Sequence, residues 1–211
     1  MRKRVLSLVL ILLCCLAVKA QDNNTKLFTA TNVVWCGLDY SYVKCIGSEG
    51  FTDPEDITRR FFDSWNKLML DEASKYDFRE EYEFKGLLYD LSVVKERNDI
   101  PKADELVINT DYSLPEGKLK EIVSDYDLDK VSEGLGLVYV MESLNKFEKK
   151  ASIYVVFFDI ATKEIVWSKK YYGSAGGFGL RNYWARSVLG VLNQSAYDIT
   201  RDRKRFAKGK L

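Results

Sequence analysis

Residues 136–144, 151–160 and 163–172 are three β-branched and aromatic runs, separated only by the short polar connections 145–150 and 161–162. That pattern predicts an antiparallel meander of two hairpins. In the third run Ile165, Trp167 and Tyr171 alternate with Val166, Ser168 and Lys170, which predicts one covered face and one partly wet face. After a glycine-rich stretch, Trp184, Val188, Val191, Leu192 and Ile199 recur at helical spacing from near Gly179 onward. Upstream, residues 32–46 are rich in Val, Trp and Tyr and predict a long strand, or a strand with a bulge at Gly37. A turn follows at residues 47–50. Asp53 can then cap a helix with Pro54 in its first position, and Ile57, Phe61, Trp65, Leu68 and Met69 form its inner stripe over 54–75. Trp65 and Trp167 are expected in the core, on opposite sides of the helix–sheet interface.

Residues 86–96 predict a second strand and 105–108 a short third, with a helix from Pro115 to about Asp125 facing Leu119, Ile122 and Val123 inward. Residues 32–200 thus read strand, helix, strand, helix, three strands, helix. The fold class is α/β (α+β-like): a single layered domain, with a mixed sheet, a C-terminal antiparallel meander and helices packed on it.

The N-terminus carries an address. Arg2, Lys3 and Arg4 precede an apolar run from residue 5 to 18, and Val18-Lys19-Ala20 offers the residues a signal peptidase reads. The run is short for a membrane span, which needs ~20 apolar residues. Residues 1–20 are read as a signal peptide cleaved near Ala20, giving a secreted or periplasmic protein with no transmembrane anchor after cleavage. A retained N-terminal anchor is the competing reading. Leu13 and Cys14 are not the small residues that precede a lipidated cysteine, which speaks against a lipoprotein. Residues 21–31 are expected to be flexible, and 201–211 to form a basic, solvated C-terminal tail.

Loss of Arg2, Lys3, Arg4 and Lys19 from 32 basic residues leaves 28 against 31 acidic ones, a net charge of −3. Such a balance provides no long-range field for nucleic acid or anionic lipid, and no nucleic-acid partner is expected. The chain has no histidine, which excludes Ser-His-Asp and Cys-His catalysis and histidine-ligated metals. Two-carboxylate, lysine and oxygen-ligated chemistry survive. No cofactor or metal site is expected. Cys36 and Cys45 are a candidate disulfide only if residues 37–41 turn tightly. A straight strand would hold them roughly 30 Å apart, against the ~7 Å a bridge tolerates.

The stretch Leu119-Lys120-Glu121-Ile122-Val123 runs toward a strand. Downstream, the strand at Tyr154 ends in the turn Asp159-Ile160-Ala161-Thr162, and the next begins at once toward Trp167. This texture and the element order resemble secreted accessory domains of the bacterial envelope. Such domains are found in the curli secretion channel subunit, the penicillin-binding-protein activator lipoproteins and the N-terminal part of the Tol-system propeller protein. The resemblance implies action by binding partners and transfers no catalytic residues.

Gly176, Gly177 and Gly179, with Arg181, are the candidate anion or partner site, because helix N-terminal amides and a guanidinium can hold a carboxylate or phosphate. The same glycines would also serve a sharp strand-to-helix turn. Tyr40 and Tyr42 beside Asp39 are a candidate aromatic surface for sugars, or simply the exposed side of a strand. Glu80/Glu81 and Asp125/Asp127 read as solvated charge, and Glu142 matters if buried. The leading reading is a non-catalytic envelope accessory protein that binds a protein or an envelope polymer. A histidine-free, carboxylate-dependent glycan hydrolase is one alternative. The other is a structural component that self-assembles as a homo-oligomer through an edge strand of the meander.

Overall fold

The computed structural model describes residues 25–210; the signal segment and the Ala20 cleavage point lie outside the described residues. One sheet of seven strands organises everything. Strands β1 (Asn32–Asp39) and β2 (Lys44–Ile46) lie end to end along one side of β5 (Leu135–Asn145), both parallel to it. Strands β3 (Gly86–Tyr89) and β4 (Val107–Ile108) lie end to end beyond them, also parallel. On its other side β5 starts the antiparallel meander with β6 (Lys150–Asp159) and β7 (Ile165–Ser174). The long strand expected over 32–46 is therefore real in direction but broken at residues 40–43. A bulge falls between Trp35 and Gly37, where Gly37 takes φ 103°.

Helices cover both faces. Helix α1 spans 25–29, and α2 comprises Pro54–Asp56 and Phe62–Asp71 joined by a π-helical stretch Ile57–Phe61. Its start follows the capping logic: the Asp53 side chain accepts from the Asp56 amide at 2.9 Å, with Pro54 next. Helices α3 (Phe78–Glu81) and α7 (Gly179–Phe206) share that face. The core there includes Trp35, Trp65, Tyr139, Phe157, Trp184 and Ile199. Helices α4 (Ser92–Arg97) and α6 (Lys118–Ser124) cover the opposite face over Val34, Val138, Val156 and Phe158. Helix α5 (Ala103–Leu106) leads directly into β4.

Several expectations shift. The strand expected over 86–96 stops at Tyr89, because the Asp90 carboxylate accepts from the Ser92 hydroxyl at 2.6 Å and amide at 3.2 Å and turns the chain into α4. Val93 and Val94 then pack from a helix rather than a strand. Of 105–108 only Val107 and Ile108 are strand. Trp65 is fully buried, whereas Trp167 is half-buried. A register shift between Phe157 and Phe158 pairs them with Trp167 and Ile165, leaving Val166 as the extra residue. Ile165 consequently packs with the second core and Trp167 with the first, so their expected common face is lost. Residues 25–29, expected to be flexible, are helical with Leu27 buried, and α7 runs through Phe206 where a tail was expected.

Candidate functional site

The expected aromatic surface on β1 is interior. Tyr40 is fully buried, stacked on Phe62 at 4.4 Å between ring centroids and tilted against Trp65. The break after β1 turns it under α2, and this corrects the surface reading. Tyr42 is half-buried, donating to Glu121 at 3.1 Å with the Lys118 ammonium over its ring. Asp39 is fully buried and accepts from Arg97 Nε and the Tyr126 hydroxyl, both at 2.8 Å, and from the Ser41 amide at 2.9 Å. Glu142 is buried too, held by Lys170 and the Leu114 amide, each at 2.8 Å. Asp125 pairs with Arg97, and Asp127 with Lys163. These carboxylates fasten elements together. Cys36 and Cys45 are separate buried thiols in the cores of opposite sheet faces, so a bridge would have to pass through the sheet. Burial pushes both thiols well above the ordinary range.

The glycine loop has structural reasons for its composition. A Cβ on Gly173 would lie 2.0 Å from the Ser187 carbonyl oxygen, so glycine there lets β7 touch α7. Gly177 and Gly179 take φ 109° and 76°, the left-handed region, as the chain enters the helix. The Gly176 amide donates to the Tyr183 carbonyl at 2.9 Å, and the Ala175 amide to that of Lys149 at 2.8 Å. The Arg181 carbonyl accepts from Trp65 Nε1 at 2.9 Å and so ties α7 to α2. Between the glycines stands Phe178, 96% exposed.

A different surface follows the free edge of the sheet. Among the described residues strand β7, ten residues long, pairs only with β6, so on its other side alternate residues present amides and carbonyls without a strand partner. Alongside it α7 forms the second wall of a groove of about 580 Å³, with Tyr172 and Tyr197 exposed at its rim. Asp198 fixes the groove floor, accepting from the Tyr171 hydroxyl at 2.8 Å and pairing with Lys169 and Arg201. Burial works against its charge, but the Lys169 and Tyr171 hydrogen bonds prevail and hold the carboxyl below the usual range. The Gln194 carboxamide, anchored on the Gly190 carbonyl at 2.8 Å, donates to the Tyr172 carbonyl at 3.1 Å. It supplies the kind of amide a neighbouring strand would provide. Residue-level reading of the sequence had no means of finding this groove, since its walls come from residues 169–172 and 193–198. Only the edge position of the last meander strand hinted at it.

No family model matches the chain, and no curated protein matches it. Among solved structures it is similar to the LpoB C-terminal domain from Salmonella enterica. The TM-score is 0.31 and the identity 10%, over 73% of this chain and 94% of that one. At this score the likeness assigns no residue a role.

Proposed function

We propose that the chain is an exported, non-catalytic accessory protein of the bacterial envelope that binds a protein partner. The partner lies as an added strand in the groove between β7 and α7. Export rests on the basic and apolar pattern of residues 1–20. Binding rests on one observation above all: a ten-residue edge strand with one open side lies beside a helix that offers an aromatic rim. An added strand gains main-chain hydrogen bonds from the edge, and side-chain recognition from the groove. The buried carboxylates Asp39, Asp90, Glu142 and Asp159 are each engaged in holding the fold, consistent with a binding rather than a hydrolytic task.

Site-specific photocrosslinking tests this. A photoreactive residue at position 197 or 172 should give a discrete adduct with one envelope protein in cells, and the same residue at Lys120 on the opposite face should not. Equal adducts from all three positions would reject the groove as the contact. An adduct with a second copy of the chain would favour self-assembly through β7 instead.

A further inference from the structure

A second surface, independent of the groove, lies at the end of the molecule where the β5–β6 hairpin meets the β7–α7 loop. The two are joined: the Ala175 amide donates to the Lys149 carbonyl at 2.8 Å, and the Lys146 ammonium sits 4.4 Å from the centre of the Tyr183 ring. From this pole two phenylalanines project, Phe147 at 65% exposure and Phe178 at 96%. Each stands on a short connection tied into the fold, Phe147 against Gly47 and Phe178 between two left-handed glycines. Close to them along the chain are Lys146, Lys149, Lys150 and Arg181, and the Arg186 side chain lies beside Gly176; the acidic residues are Glu148 of the hairpin and Glu49 of the turn that packs on Lys146 and Phe147. None of these five cations has an ion-pair partner among the described residues. Lys169 and Lys170 on β7, by contrast, and Arg59, Arg60 and Lys67 on α2 all do.

We infer that this pole rests on an anionic lipid surface, with Phe147 and Phe178 entering the boundary between headgroups and acyl chains and the cations facing the headgroup phosphates. Exposed aromatic rings are costly in water and are relieved at that boundary, while unpaired cations gain from anionic headgroups within a Debye length of about 10 Å. The rings sit on tips from two separate connections, 65% and 96% exposed. Such tips suit a deformable apolar phase better than a shaped protein pocket. The near-neutral charge of the whole chain is no obstacle, because only charges within a Debye length of the surface act on it. Along α7, residues 179 and 194 are about 22 Å apart at 1.5 Å per residue, so the far part of the β7–α7 groove, toward Asp198, lies away from the pole, while its near end at Tyr172 adjoins it.

Co-sedimentation with vesicles tests the inference, using the chain from Gln21 onward. It should pellet with phosphatidylglycerol-containing vesicles, far less with pure phosphatidylcholine, and less again at high salt. Phe178→Ser should weaken binding at least about tenfold, the partition of one phenylalanine side chain. Phe147→Ser with Phe178→Ser should abolish it, and Lys149→Glu with Lys150→Glu should weaken it while the melting temperature holds. Failure of the parent to bind anionic vesicles would overturn the inference, as would equal binding by the double phenylalanine variant. So would a Phe178→Ser protein that keeps its lipid binding but no longer crosslinks to a partner, since the pole would then be a protein contact.

Discussion

Two asparagines take the place of a missing strand. Beyond β3 and before β4, the edge of β1 has no strand neighbour among the described residues, yet its backbone is buried. Asn66 from α2 accepts from the Leu38 amide at 2.7 Å and donates to the Leu38 carbonyl at 2.9 Å. Asn98, just past α4, accepts from the Tyr40 amide at 2.7 Å and donates to that same carbonyl at 3.1 Å. A buried backbone group without a partner costs about 1–3 kcal/mol. Asn66→Ala and Asn98→Ala should each destabilise by that order. Each single change leaves the Leu38 carbonyl one donor, and the double change leaves none, so the pair should cost more than the sum. Chemical denaturation of the four proteins measures it; additivity within ~0.3 kcal/mol would refute the shared role. Neither asparagine was legible in the sequence. A carboxamide beside a helix's apolar stripe looks like any polar residue until its partner, 28 positions away for Asn66, is known.

At the scale of elements, local pattern was a good guide wherever the chain pairs with itself nearby. The meander and α7 were readable because alternation and helical spacing there decide which face is buried. Residues 90–97 were not, because Val93 and Val94 suit a strand as well as a helix and the deciding contact is the short Asp90–Ser92 turn. The glycine loop was legible as a feature but ambiguous in meaning, and its glycines divide by cause. Gly173 is there for contact: an alanine Cβ would meet the Ser187 carbonyl oxygen at 2.0 Å and other Ser187 backbone atoms within 2.9 Å, so α7 would have to lift from the sheet. Gly179 is there for conformation alone, with nothing within 4 Å of its Cβ position and φ 76°. Gly173→Ala should therefore cost at least about 3 kcal/mol, and Gly179→Ala only about 1 kcal/mol. Urea midpoints at unchanged slope would show the difference. Equal midpoints would mean that α7 does not rest on β7 as closely as described.

At the scale of the whole molecule the sequence located its ends less well than its middle. Composition made residues 201–211 look like a solvated basic tail, because charge dominates the segment and Phe206 is its one aromatic. The fold uses that segment as a clasp. Phe206 packs on Phe28 of α1 with 5.4 Å between ring centroids. Arg203 donates to the Tyr82 carbonyl at 2.9 Å, pairs with Glu83 and lies over the Phe84 ring. The last turns of α7 thus hold both the first helix and the corner between α3 and β3, joining regions far apart in the chain. A chain ending at Thr200 should lose about 2–4 kcal/mol, combining the half-buried phenylalanine with the arginine's contacts. Phe206→Ala alone should lose about 1–2 kcal/mol. Because Phe28 would lose its ring partner in both, amide exchange in residues 25–29 should rise in step with the lost stability. If truncation left both the melting temperature and that exchange unchanged, the segment would be the tail its composition predicts, and the packing of Phe28 on Phe206 would add nothing to the fold.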